Sequence, residues 1–167
     1  MDLSPSIPGT TAAAPPNRPE PTPGSPRPFP ATAEERDAFG PLTFPAGLPG
    51  FPQARVFRLL PLPGAAGFAL LEAEVPEGPR FVVLEVAEPE VVFGPAATAE
   101  AAQALGIGRA DLRLFAIVTL ADGPGGRRAF ANLRAPVAVD RVGRTARQIV
   151  LADPRLPLRH PLESRTA

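Results

Sequence analysis

Leu112-Arg113-Leu114-Phe115-Ala116-Ile117-Val118-Thr119-Leu120 is the stretch that decides the fold. After Arg113 it is apolar at almost every position and carries Phe115, Ile117 and Val118, so it reads as a strand buried on both faces, central in a sheet or set in a barrel wall. It runs into Asp122-Gly123-Pro124-Gly125-Gly126, a turn cluster joining it to a further strand. On either side the pattern continues as short apolar runs broken by Pro and Gly, the rhythm of an all-β domain. Strands are expected near 41–45, 54–60, 67–75, 80–87, 90–93, 111–121, 128–133, 136–141 and 146–152. Within 67–75, alternation puts Leu71, Ala73 and Val75 on one face and Phe68, Leu70, Glu72 and Glu74 on the other, so one face ends in acids.

Only residues 98–105 read as helix. Thr98 is expected as N-cap, Glu100 lies in the positively polarised first turn, and Gly106 ends the element. A helix this short can only plug or cover a sheet. The expected architecture is therefore a small β-barrel-like domain with one short helix.

Proline places the domain boundary. Ten of the 25 prolines fall within the first 30 of 167 residues. Residues 1–38 are rich in Pro, Ala, Thr and Ser with few large apolar groups, and cannot bury enough surface to offset the entropy of ordering. They are expected to form a disordered arm, residues 39–162 the folded domain, and 163–167 a tail.

Between residues 39 and 162 there is no Ser, Cys, Lys, Tyr or Trp, so a Ser or Cys nucleophile cannot be assembled. A phosphate-binding GxxxxGK[ST] loop lacks its Lys, and Gly106-Ile107-Gly108 lacks the third small residue of a dinucleotide turn. The lone His160, in Arg159-His160-Pro161, cannot supply a two-His metal set and reads as a surface or packing residue. No metal or other cofactor is expected. Paired carboxylates among Glu72, Glu74, Glu85, Glu88 and Glu90 are the one enzyme chemistry left open, but the only aromatic residues are ten Phe, spaced along apolar runs as core residues are. No stretch is long and apolar enough to span a membrane, no signal peptide opens the chain, and cysteine is absent, so the cytoplasm is the expected compartment.

Formal net charge is zero, with 17 Arg against 17 Asp plus Glu, which argues against bulk capture of nucleic acid. The charge is nevertheless segregated. Residues 70–100 hold seven Glu against Arg80, while residues 123–160 hold eight Arg against Asp140 and Asp153. Two bland faces that attract one another would account for this, as would an acidic surface built to meet a basic protein. The C-terminal Arg set leaves open an RNA-binding module, although only Phe130 lies among those arginines to stack a base.

Five segments in order carry a family resemblance: Leu42-Thr43-Phe44-Pro45-Ala46-Gly47-Leu48-Pro49-Gly50-Phe51, Phe68-Ala69-Leu70-Leu71-Glu72, Asn132-Leu133-Arg134-Ala135-Pro136, Gln148-Ile149-Val150-Leu151 and Arg159-His160-Pro161-Leu162. Together they resemble the flagellar assembly factor FliW family over residues 39–162. The resemblance implies a non-catalytic β-barrel-like protein. It would bind the translational regulator CsrA, relieve repression of flagellin synthesis and bind flagellin as a competing partner, with no small-molecule substrate, membrane or direct nucleic-acid contact. It gives the acidic segment a task, facing a basic RNA-binding protein. Expected contact residues are Glu72, Glu74, Glu85, Glu88, Asn132 and Gln148, with loop 122–128 and Asn132 as the region the two partners share. Gly47, Pro49 and Gly50 are expected to shape the backbone.

Overall fold

The structure, a computed structural model, describes residues 40–163, so the expected N-terminal arm lies outside the described residues. Eight strands form one sheet. Seven of them, β1 (Leu42–Thr43), β2 (Val56–Pro61), β3 (Phe68–Ala73), β4 (Arg80–Glu85), β5 (Leu112–Gly123), β6 (Gly126–Asp140) and β7 (Ala146–Gln148), pair in sequence order. An eighth, β8 (His160–Leu162), pairs with β6, and every strand pair is antiparallel. The curl brings the two ends together: Thr43 forms a parallel bridge with Thr145, and its N–H donates to the Arg144 carbonyl at 2.9 Å.

Because successive side chains of a strand point to opposite faces, β5 feeds two cores. Phe115 joins the inner core with Leu42, Phe44, Phe57, Leu59, Leu71, Val83, Val137 and Val139. Leu112, Leu114 and Ala116 join an outer core on the other face, roofed by helix α2 (Pro95–Leu105) through Ala97, Ala101 and Ala102. The apolar reading of residues 112–120 thus has its cause as far as Val118, since a helix covers outside what the barrel encloses inside; Thr119 and Leu120, expected to be buried with the rest, lie beyond this cover and are exposed. Inside, Phe44 and Phe57 meet with ring centroids 4.7 Å apart.

Gly47, at φ 69°, turns the chain after β1, and a Cβ there would lie 2.6 Å from the Phe51 carbonyl oxygen. No other residue fits that turn without moving backbone. The bend returns Phe51 to the barrel mouth, where its ring meets Phe81 edge to face at 5.7 Å.

Several expected elements differ. Residues 90–93 fall largely in a four-residue helix α1 (Pro89–Val92) instead of a strand. Pro89 supplies the fixed φ of a first helical position, which outweighs the strand preference of Val91 and Val92. Helix α2 begins at Pro95, three residues before the expected cap. Thr98 is an interior residue, 3% exposed, whose hydroxyl donates back to the Gly94 carbonyl at 2.9 Å. The expected strands 128–133 and 136–141 are one strand, β6. β1 and β7 are shorter than expected, and the segment after Gln148 follows β6 without joining the regular ladder.

The strand-breaking signal read at Pro136 marks a bulge. Between the pairs Phe115↔Val137 and Ile117↔Asn132, β6 takes five steps while β5 takes two. The buried Pro136 therefore sits where the ladder is interrupted and its missing N–H costs no sheet bond.

Candidate functional site

The bulge explains Asn132 and Gln148. Asn132 Oδ1 accepts from the Ala135 N–H at 2.9 Å, and Gln148 Nε2 donates to the Ala135 carbonyl at 3.0 Å. Two side chains thus satisfy both backbone groups of one residue displaced from the ladder, groups that would be costly to bury unpaired. The segment after β7 completes the job: Ile149 N–H donates to the Pro136 carbonyl at 3.0 Å, Leu151 N–H to Arg134 at 2.9 Å, and Leu133 N–H to Pro157 at 3.0 Å. The motif pair at 132–136 and 148–151 is one hydrogen-bonded unit. Spacing alone could not reveal it, because its halves meet across a strand interruption.

The acidic segment is not an unopposed field. Glu74 bonds Arg58, Glu72 pairs with Arg80 at 2.6 Å, Glu85 bonds Arg113, and Glu90 pairs with Arg109 at 2.8 Å. None of these partners comes from the C-terminal arginine set. Register explains them: Arg58 and Arg80 both lie directly across from Glu72, on the two strands flanking β3. The outward row therefore reads Arg, Glu, Arg, with Glu74 extending it diagonally to Arg58. Glu72 and Glu74 share this face as expected, at 29% and 32% side-chain exposure, whereas Glu85 keeps only 11% and is turned in against Arg113. Glu88 opens α1 with its backbone, its carbonyl accepting from Val91 and Val92, and its side chain is exposed. Each of the four paired carboxylates has its own guanidinium. Arg58, Arg109 and Arg113 are the part of the site that the sequence analysis lacks, although hairpin register across residues 61–68 places Arg58 beside Glu72.

Four of the eight arginines of the basic segment are engaged within the chain. Arg127 pairs with Asp122 at 3.4 Å, Arg141 with Asp111 at 3.2 Å and Arg155 with Asp153 at 2.8 Å. Arg159 stands over the Phe130 ring, 4.5 Å from its centroid. The single aromatic of that segment is covered by a side chain of the same chain, which leaves no open platform for a base. The side-chain bond from Arg155, then its backbone N–H, hold the Asp153 carboxyl at about 2, below its ordinary 3.8.

The hairpin tip stands clear of the sheet. β4 pairs with β5 only as far as Val118, so Thr119 to Gly123 are paired on the β6 side alone, and Leu120 is 58% exposed. Asn132 lies below this tip, inside the wall, and is not part of the loop. Among the described residues no three His, Asp or Glu side chains are grouped to hold a metal ion, and no helix is long and apolar enough to cross a membrane.

The family model described as "FliW protein" matches residues 29–162. The chain belongs to the FliW family. Among curated FliW relatives, the flagellar assembly factor of Bdellovibrio bacteriovorus is 41% identical over 127 residues, 72% of this chain and 69% of that protein. The Symbiobacterium thermophilum FliW is 36% identical, over 71% of this chain and 86% of its own length, and that of Bacillus subtilis 30%, over 72% and 84%. A crystal structure of the flagellar assembly factor FliW superposes with a TM-score of 0.57 at 27% identity, covering 76% of this chain and 88% of the other. Both the all-β barrel-like fold and the family expected from the motifs are thereby established, and with them a role in flagellar assembly.

Proposed function

We propose that the protein acts in the cytoplasm as a non-catalytic FliW, holding CsrA so that flagellin synthesis is released from repression, with flagellin as the competing ligand. The observation that carries this reading is membership of the FliW family over nearly the whole described domain. The side-chain inventory supports it, since the folded part offers charged and apolar surface but no Ser or Cys nucleophile. Competition is the simpler expectation on size, because a standard interface takes about 800 Å² from each partner and a domain this small has limited room for two.

A sizing column tests the switch. CsrA and this protein should co-elute, and added flagellin should release CsrA; a stable ternary peak overturns competition. The Glu72/Glu74 face is the proposed CsrA contact. Reversing both to Arg should weaken the complex in low salt, with the effect shrinking above about 0.5 M salt. Their pairing with Arg58 and Arg80 dictates the control: a quadruple swap that also changes Arg58→Glu and Arg80→Glu restores the internal pairs and should still bind CsrA poorly. Undiminished binding removes this face from the site.

A further inference from the structure

Backbone bonds alternate along an edge strand, so every second residue turns its N–H and C=O away from the sheet. Along β1, β2 and β8 these outward positions are largely proline. In β1 the Thr43 N–H donates outward to Arg144 and that of Phe44 inward to Arg55, which sets Pro41 and Pro45 in the outward row beside Thr43. In β2, Val56 and Leu62 bond β3, so Phe57, Leu59 and Pro61 face out; Leu42 covers Phe57, and Leu59 is the donor left. Pro161 has no N–H, so β8 meets β6 through His160 and Leu162 and turns Pro161 out. Proline at such positions denies an added strand its donors. One stretch differs. Ile149 and Leu151 turn their N–H groups inward to the Pro136 and Arg134 carbonyls, at 3.0 and 2.9 Å, so Gln148 and Val150 face outward. Neither is proline, and on that side neither N–H nor C=O has a backbone partner among the described residues.

We propose that the outer edge of residues 147–151 is a docking notch for one extended segment of a protein partner, added as a strand. This inference rests on the reading that the protein works by holding other proteins. The free groups select the occupant: donors and acceptors at every second residue match an extended chain, whereas a helix has already satisfied its own backbone. The notch is short and closed at both ends. At one end Thr43 bridges Thr145, and at the other Glu100 of α2 accepts the Ala152 N–H at 3.3 Å. A second copy has its own edge recessed in the same way, so two such edges do not reach each other, while a single segment enters. The β5–β6 tip is the rival open edge, but its two faces are largely exposed and a strand added there buries little. The notch is anchored instead by the buried Ile149 and Leu151. Side chains define the sequence it takes. Val150, 71% exposed, and Arg147, exposed and in no ion pair among the described residues, lie three positions apart on opposite faces. A segment laid across from them carries an apolar residue against Val150 and, three positions away, an acidic residue beside Arg147.

Val150→Pro extends the row of edge prolines into the notch and removes an outward N–H, Val150→Ala keeps that N–H, and Arg147→Glu reverses the neighbouring charge. Purified flagellin and CsrA are the probes, calorimetry measures binding, and circular dichroism checks each fold. The inference expects Val150→Pro to weaken the binding of one probe at least tenfold and Val150→Ala to weaken it less. Arg147→Glu should weaken the same probe by an amount that added salt reduces. On the unaltered protein, hydrogen exchange followed by NMR should slow at least tenfold at the Gln148 and Val150 amides when that probe is added. Should the proline variant unfold, this amide protection decides alone. Full-strength binding by folded Val150→Pro, or binding that leaves those two amides unprotected, overturns the notch and leaves the function standing. Protection that grows with protein concentration in the absence of a probe assigns the edge to a second copy and likewise overturns it. If the unaltered protein binds neither probe, the function falls and this inference with it.

Discussion

The two cores of this domain sit on opposite faces of the same strands and are built from different residues. Inside, the largest fully buried side chains include Phe44, Phe57 and Phe115, backed by Leu42, Leu71 and Val83. Outside, alanines at 97, 101, 102, 116, 131 and 138 account for nearly half of the buried cluster. A curled sheet must have its hollow filled by bulk, from its own strands and from the loop after β1 that sends in Phe44 and Leu48. A helix laid on the outside must come close to the sheet, and small residues on both surfaces allow that. One core is sensitive to lost volume and the other to added volume.

The largest effect should come from emptying the interior. Phe57→Ala removes a fully buried ring that packs on Phe44, and a loss of about 3–5 kcal/mol is expected from urea denaturation. A loss below about 1 kcal/mol would break the contrast. Ala101→Leu tests the other side: Ala101 is a fully buried residue of α2, so the added carbons should cost about 1–3 kcal/mol by overpacking, while Ala101→Gly should cost about 1 kcal/mol through helix propensity. If leucine is tolerated there, α2 is not held close to the sheet.

Gln148→Leu probes the seam between the cores. It leaves the Ala135 carbonyl without its side-chain donor, and about 1–2 kcal/mol should be lost, with Asn132→Ala comparable. The double variant should fall short of the sum, since both side chains serve one residue. The smallest effect lies at the surface. Arg155→Met should move the Asp153 titration, followed by NMR, from about 2 up towards 3.8. A carboxyl with a depressed value contributes stability above its unfolded value, and that contribution disappears as pH falls from about 4 to about 2. With Arg155 88% exposed, the melting temperature at neutral pH should not change measurably.

What was legible in the sequence followed from periodicity of two. The alternation of residues 67–75 and the two-sided burial of 112–120 are local patterns, and they hold as far as Ala73 and Val118: Leu71 and Ala73 face in and Leu70 and Glu72 face out, while Val75 lies beyond the end of β3 and is exposed, as are Thr119 and Leu120. What was hidden depended on partners far along the chain. Val91 and Val92 look like strand residues until Pro89 is given the first position of a helix. Pro136 looks like a strand boundary unless the opposing strand is known to skip there. The acids of residues 72–90 suggest a charged patch because three of their arginines, Arg58, Arg109 and Arg113, lie outside that stretch and arrive through strand and helix pairing.

The segment from residue 146 to β8 lies along one side of β6, bonding it at Val139, Pro136, Arg134, Leu133 and Ala131 in turn. Ribosomes make proteins from the N-terminus, so β6 is complete before any of that cover exists. During that interval the longest strand of the nascent domain carries a bare row of amide and carbonyl groups, open to pairing with a neighbouring chain on the same message. The segment from residue 146 to β8 therefore ends this exposure, and the yield of monomer should depend on how promptly it arrives.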